Sequence, residues 1–526
     1  MGAARIAIPV PWHDRRTDWR VGMTAADIGN GLASAMIEET HHVFTENGAK
    51  ARDTSGDALV DLFGTIGALR DRDEAEVIDL FSRAYDESPE LATKMLFYAR
   101  DVRGGLGERR TFRTIAHWLA DRHPEALRDN IRLFGVFGRY DDLYALMGTS
   151  LEPSMWDFMR RQLADDANNA SIGAPVSLLA KWVKTPGVSS KASSAIGRRT
   201  ARGVRMSDRD FKRLVRSLRR HIGIVEAKMS ANEWGDIDYS SVPSNAMHDY
   251  GNAFRRHDSE RFGRFVNDAL ATDDDGNPLA TVHSGTLYPY DIVGNILHDK
   301  GDGALLEAQW RQLPNYLDGA YANANVLVIA DVSGSMWGSC ARPLATSIGL
   351  AMYFAERNHG AFGGLWMDFS GESQFHRVEG DTLRQRVNGL SYGHWGGSTN
   401  LDGAFEHVLD LAIENASPQE DMPKALVVVS DMEIDASERS GWSFYDAMRD
   451  RYAQHGYEIP TVVFWNVASR HDVFHADAHR KGVMLCSGSS ASTFRSVIDG
   501  IGRTPYEAMI HVVDAPRYAC VTVAKR

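Results

Sequence analysis

Over residues 58 to 206, apolar residues return at the three-and-four spacing of an amphipathic helix. Leu59, Leu62, Phe63, Ile66 and Leu69 set the pattern, and the stripes Val77, Leu80, Phe81, Ala84 and Leu91, Met95, Leu96, Tyr98 repeat it. Turn signals divide the stripes at residues 88–90, which include Pro89, and at residues 103–107, which include Gly104, Gly105 and Gly107. The same spacing predicts helices over residues 112–119, 127–134 and 143–147. Strand-like alternation is scarce here. Successive antiparallel helix pairs of the HEAT or armadillo kind are therefore expected, although no strict period recurs.

Near Tyr321 the period changes. Residues 326–333 (VLVIADVS), 365–370, 425–432, 461–467 and 483–488 are short apolar runs rich in β-branched residues, and helical stretches such as 343–357 and 401–414 separate them. Buried strands alternating with helices predict a doubly wound, mostly parallel sheet. The fold class expected is thus multidomain, α plus α/β. It divides into an N-terminal extension over residues 1–20, a helical-repeat domain over 21–320 and an α/β domain over 321–526.

Composition adds exclusions. In 526 residues, 43% are hydrophobic and 24% charged, enough apolar surface to bury a core and too much for general disorder. No apolar run approaches the roughly 18 residues of a spanning helix, and the start, MGAARIAIPVPWHDRR, has no apolar stretch of signal-peptide length. A soluble, cytoplasmic protein without a membrane partner is expected. Cys340, Cys486 and Cys520 lie far apart with no CxxC pair, which fits a reducing compartment. The net charge of −12 argues by itself against nucleic-acid binding. That average conceals an asymmetry: residues 181–220 hold 13 Lys and Arg against only Asp208 and Asp210, leaving about −23 on the rest of the chain.

The first strand of the α/β region ends in Asp331, Ser333 and Ser335. A second loop carries Gly397, Ser398, Thr399 and Asn400 before a helix, and the third strand ends in Ser430 and Asp431. In an open α/β sheet, ligands bind beyond the carboxyl ends of the strands. Carboxylates and hydroxyls from Asp331, Ser333, Ser335, Thr399 and Asp431 make a hard oxygen site for one divalent cation, best suited to Mg²⁺ and also to Mn²⁺ or Ca²⁺. Neither His nor Cys is among them, which argues against zinc. Helix N-capping is the competing role for Asp331 and Ser333. No general acid lies at fixed spacing beside Asp331, so a non-enzymatic role is expected. Glu433 and Asp435 are expected to be solvated or to support the ligands from outside.

In the basic segment, Ser207 caps a helix with Asp210 three positions on. Phe211, Leu214, Val215, Leu218, Ile222 and Val225 fall within about 60° of one direction on a helical wheel. Arg209, Lys212, Arg213, Arg216, Arg219 and Arg220 occupy another arc. Upstream, Lys181, Lys184, Ser189, Lys191, Arg198, Arg199, Arg202 and Arg205 lie in a stretch rich in Gly and Ser. An apolar face backed by a cationic one is the footprint of a phosphate-binding surface, and these residues are the candidate RNA contacts. The plainer alternative is a solvated helix face. Trp182 and Phe211 are expected in the core, so readout by phosphate and shape is favoured over base sequence. Around the glycine turn, Arg100, Arg103, Arg109 and Arg110 either line an opening or pair with acids such as Asp101 and Glu108. His394 and Trp395 precede the Gly397 loop, where a packed Trp is the commoner outcome.

The array DxSxS, Thr399 and Asp431 resembles the metal-ion-dependent adhesion site of von Willebrand factor A domains. With both halves placed, residues 47–520 resemble the TROVE-module family, most closely the bacterial or phage Ro-like branch. The segments carrying this resemblance are LVDLFGTIGALR, KMLFYARDVRGGLGERRTF, FGVFGRYDDL, KMSANEWGDIDYSSVPSNAM, GTLYPYDIV and ADVSGSM. The resemblance implies a monomeric ring of HEAT-like helices closed by the A domain. It also implies binding of small structured Y-like RNA on a basic surface, entry of single-stranded 3′ ends of misfolded RNA into the ring, and a role in RNA quality control or ribonucleoprotein assembly. The alternative is a metal-dependent protein-interaction scaffold that binds no RNA and captures a partner carboxylate at the metal.

Overall fold

The computed structural model describes residues 41–368, 373–391, 400–435 and 444–524. Its chain begins with a hairpin, β1 (His42–Phe44) and β2 (Lys50–Arg52), that the helical periodicity did not foretell. Each strand is only three residues long, too short to show alternation. Helices of eight residues or more then follow as α1 (Ala58–Thr65), α2 (Glu74–Glu87), α3 (Pro89–Arg100), α4 (Arg110–Arg122), α5 (Glu152–Ser171), α6 (Lys191–Gly203) and α7 (Asp208–Ile222). After them come α8 (Ser244–His257), α9 (Ser259–Leu270), α10 (Pro289–Leu297) and α11 (Gly303–Arg311).

The predicted apolar stripes become the packed faces: Val77, Leu80, Phe81 and Ala84 are all buried, as are Met95, Leu96 and Tyr98. Three predictions change in detail. The helix expected over residues 127–134 is mostly a 3₁₀ segment, Arg128–Leu133, set between two single α-turns, Pro124–Leu127 and Phe134–Phe137. The stretch around residues 143–147 belongs to a 3₁₀ segment, Tyr140–Leu146, and not to an α-helix. Asp142 accounts for this: fully buried, it accepts from the Arg139 N–H (2.9 Å) and from Arg100 Nε (2.7 Å) through one oxygen, and from Arg113 Nε (2.6 Å) through the other. The local chain is shaped around that carboxylate. The stripe that ran on to Val225 also breaks early, because α7 stops at Gly223 in the left-handed region (φ 72°) and Val225 opens a separate turn in a second core cluster.

The second half is a six-stranded sheet built from β3 (Val326–Ala330), β4 (Leu365–Asp368), β5 (Phe375–Arg377), β6 (Ala425–Ser430), β7 (Thr461–Asn466) and β8 (Val483–Ser487), in the order β5-β4-β3-β6-β7-β8. All five predicted strands are present and parallel. The added strand β5 is an antiparallel edge. Strands β3, β6, β7 and β8 are buried along their whole length, as continuous apolar runs demand. The helices between strands are α12 (Gly338–Arg357), α13 (Leu383–Ser391), α14 (Leu401–Glu414) and α15 (Phe444–Gln454), and α16 (Thr493–Gly500) and α17 (Pro505–Val513) follow β8.

Both ends of the helical array meet this α/β domain. At the start, Ser487 Oγ donates to Phe63 O (2.9 Å) and accepts from the Gly67 N–H (3.0 Å), and Arg72 pairs with Asp472 (2.6 Å). At the far end, α10 packs along α12 with the Arg342 guanidinium 4.0 Å above the Tyr290 ring, and Trp310 Nε1 donates to Glu356 (2.7 Å). The two ends also touch each other, since a Cβ on Gly107 (φ 69°) would strike Tyr288 Oη. The last residues return to the first helices: Lys94 pairs with Asp514 (2.6 Å), and Arg517 binds the fully buried Asp101.

Candidate functional site

The sheet order sets the site. From β3 the chain moves outward to β4 and then returns to place β6 on the other side of β3, so the carboxyl ends of β3 and β6 border the point where strand order reverses. Asp331 is the first residue after β3 and Asp431 the first after β6. The parallel register pairs Ala330 with Val429, and Asp331 N donates to Val429 O (2.9 Å).

Both carboxylates are buried, at 1% and 3% exposure. Asp331 accepts from the Ser333 N–H (2.9 Å) through one oxygen and from Ser430 Oγ (2.6 Å) through the other. Ser333 Oγ and Ser335 Oγ are 3.1 Å apart, with Ser335 open to solvent. Ser333 stands before a 3₁₀ turn, Gly334–Trp337, but its side chain makes no capping bond, so the competing capping role is not realised. Burial, and after it the nearby charge of Asp431, pushes the Asp331 carboxyl up to about 6. Two buried carboxylates at adjacent strand ends, near enough for Asp431 to raise the Asp331 pKa, with the Ser430 hydroxyl on Asp331 and those of Ser333 and Ser335 in the same loop, suit a divalent cation, which would offset their repulsion. Asp331, Ser333, Ser335 and Asp431 are the described residues that would hold it. Thr399 lies outside the described residues, as do His394 and Trp395. Asn400, next to Thr399, caps α14 through its side-chain oxygen on the Gly403 N–H (3.1 Å).

Several participants were not foreseen. Ser430 holds Asp331, a role its place beside Asp431 could have suggested. Arg470 Nη2 contacts Asp431 Oδ2 (2.8 Å), and Arg470 Nη1 contacts Glu46 (2.6 Å) from the N-terminal hairpin. No local pattern announces a contact between segments so far apart. Glu433, expected to be solvated or supporting, is 2% exposed and accepts from the Glu46 N–H (2.6 Å). Burial raises its carboxyl pKa.

The basic segment divides. Lys184, Ser189, Lys191, Arg198, Arg199, Arg202, Arg205, Arg209, Lys212, Arg213, Arg216 and Arg220 are exposed. Arg199 pairs with Glu152 and Arg213 with Asp210 (2.9 Å). Among the described residues, Lys184, Lys191, Arg198, Arg202, Arg209, Lys212, Arg216 and Arg220 have no carboxylate within ion-pair reach. Arg219 departs from the cationic arc assigned to it: Nε and Nη2 donate to Ala180 O and Val183 O (2.8 Å each), so it serves packing between α7 and the preceding turn. Burial lowers its pKa accordingly. Lys181 is half-buried beside Trp182, whose ring also lies 3.7 Å beneath the Arg139 guanidinium. As expected, Ser207 and Asp210 form the cap of α7, and Phe211 is buried. Around the glycine turn the pairings differ from those considered: Arg100 binds Asp142, Arg70 binds Glu108, and Arg517 binds Asp101. Arg110 donates to the Arg70 and Arg72 carbonyls, while Arg103 and Arg109 are exposed.

The fold and site define a two-part chain, a helical array whose ends dock on a doubly wound α/β domain with a carboxylate–hydroxyl site at its strand ends. Residues 45–152 and 176–319 match a family described as a domain of unknown function, DUF2828, and residues 325–513 match another, DUF7788. The chain is 26% identical over 505 residues to uncharacterized protein L728 of Acanthamoeba polyphaga mimivirus, covering 90% of this chain and 87% of that protein. It is also similar to the crystal structure of the Deinococcus radiodurans RO (RSR) protein, at 15% identity and a TM-score of 0.45, over 86% of this chain and 99% of that one. No helix among the described residues is long and apolar enough to cross a membrane.

Proposed function

We propose that this chain is a non-enzymatic RNA-binding protein of the Ro type, a HEAT-like ring closed by a von Willebrand factor A-like domain. It binds small structured RNA and single-stranded RNA ends. The observation that supports this reading is the exposed cationic face of α6 and α7 on an otherwise acidic protein. The apolar side of α7 packs through Phe211, Val215 and Leu218, which leaves Arg209, Lys212, Arg216 and Arg220 facing solvent. Concentrated positive charge of this kind binds phosphates by releasing their counterions, and little base discrimination is expected from it.

Filter binding across a salt series tests the proposal. Affinity should fall with a log–log slope of about −0.7 per phosphate neutralised on a single strand. Replacing Arg209, Arg216 and Arg220 together with Gln should weaken binding to all sequences and flatten the slope, while Asp331→Ala leaves RNA affinity nearly unchanged. A triple variant with parental affinity and slope would place the contacts elsewhere.

The scaffold reading has one observation in its favour, the pair Asp331 and Asp431 beside the exposed Ser335. A divalent cation held there, Mg²⁺ by the hardness of the donors, would supply a Lewis-acidic point for a partner's carboxylate. If the parent protein binds no RNA, this second reading takes over.

A further inference from the structure

Beside the strand-end site, three segments remote in sequence converge on one point. Thr45 Oγ1 donates to Ile434 O (2.6 Å), Asn47 Nδ2 donates to Glu433 O (2.7 Å), and Gly48 forms a bridge with Asp435. These bonds staple the β1–β2 turn onto the loop after β6 and hold Glu46 above it. The Glu46 carboxylate meets His471 Nε2 (2.9 Å) through one oxygen and Arg470 Nη1 (2.6 Å) through the other. One ligating atom from each of Glu46, Glu433 and His471 lies within 4.8 Å of the other two.

We propose that Glu46, Glu433 and His471 form a second divalent-cation site that takes Zn²⁺, separate from the oxygen site at Asp331 and Asp431 and independent of the RNA reading. The donor chemistry selects the ion. Two carboxylates and one imidazole suit a borderline cation, with a fourth position left open, whereas Mg²⁺ and Ca²⁺ prefer oxygen alone. Charge favours occupancy, because Glu46 and Glu433 each bring a carboxylate to the same point. Geometry allows it as well. Glu433 is buried and held by the hairpin; the three ligand atoms lie within 4.8 Å of one another, and the exposed side chains of Glu46 and His471, already 2.9 Å apart, can adjust toward the roughly 3.3 Å between ligand atoms that bonds of about 2.0–2.1 Å require. Arg470 keeps the other Glu46 oxygen and also holds Asp431, so it stands between the two sites and fixes a ligand of each.

Calorimetric titration of Zn²⁺ into the full chain tests the site, with the protein stripped by chelator and then kept in excess Mg²⁺ to fill the oxygen site. The parent should bind one Zn²⁺ in this regime. His471→Ala and Glu46→Gln, both at exposed side chains, should each weaken it by about tenfold or more while circular dichroism stays parental. Asp331→Ala should keep the Zn²⁺ affinity and lose Mg²⁺ binding, so failure of either site is seen separately. Unchanged Zn²⁺ affinity in His471→Ala and Glu46→Gln, or no Zn²⁺ binding by the parent, would overturn the proposal.

Discussion

Asp331 shows how one carboxylate can be committed to a fold and still want a cation. Its two hydrogen bonds, from the Ser333 N–H and Ser430 Oγ, offset part of the cost of burial, yet burial, and after it the charge of Asp431, keeps its pKa raised. Asp331→Ala should abolish Mg²⁺ and Mn²⁺ binding to the strand-end site in calorimetry, with the helical half still folded. Parental affinities in that variant would exclude the site. Asp61 provides a pH-dependent counterpart inside the helical half. It is fully buried in α1, accepts from the Ser55 N–H (2.6 Å) and Thr54 Oγ1 (2.5 Å), and burial pushes its carboxyl from 3.8 up to about 6. With the native pKa above the unfolded one, the folded chain holds more protons between about pH 4 and 6, so this group costs stability as pH rises through that window. Asp61→Asn keeps an acceptor for Ser55 and should gain on the parent from pH 4 to 7, by on the order of 2–3 kcal/mol at the upper end. Urea midpoints measured at several pH values would show it, and a constant offset between the two proteins would refute it.

At the scale of elements, the strands were legible because they are short continuous apolar runs, rich in β-branched residues in β3, β6 and β7, and the long amphipathic helices were legible from their stripes. The edge strand β5 and the β1–β2 hairpin are three-residue segments, too short for any period, and they exist because a neighbour offers hydrogen bonds. Residues 143–147 carried a helical stripe, but the 3₁₀ segment Tyr140–Leu146 that holds most of them follows the geometry imposed by Asp142. Where α1 meets β8, close approach is the controlling feature. A Cβ on Gly67 would lie 2.6 Å from Gly488 Cα and 2.8 Å from the Ser487 carbonyl carbon, all backbone that cannot swing aside. Gly67→Ala should therefore push the loop after α1 off the sheet and cost about 1–3 kcal/mol, read as a lower denaturation midpoint. A neutral outcome would mean that the two halves meet less tightly there.

Across the whole molecule, the contacts at both ends of the helical array with one α/β domain call for a closed particle. The extended superhelix of an open solenoid is not expected. Small-angle scattering should give a compact particle with the mass of one chain, 58.3 kDa. A twofold mass would refute the monomer, and an elongated profile would refute the closure.

Much of the chemistry could be read in order along the chain, because strand ends and capped helices are local events: the DxSxS array, Asp431 after its strand and the charge excess of residues 181–220 all follow from neighbours in sequence. Tertiary structure decided which of those side chains are available. Arg219 sits on the cationic arc of its helix, yet carbonyls of another segment claim it, while Arg209, Arg216 and Arg220 remain in solvent. Glu46 and His471 had no local signature. They become possible ligands only because a short hairpin and two strand-end loops pack together, and a contact between segments about 400 residues apart depends on the folded surface that brings them within reach.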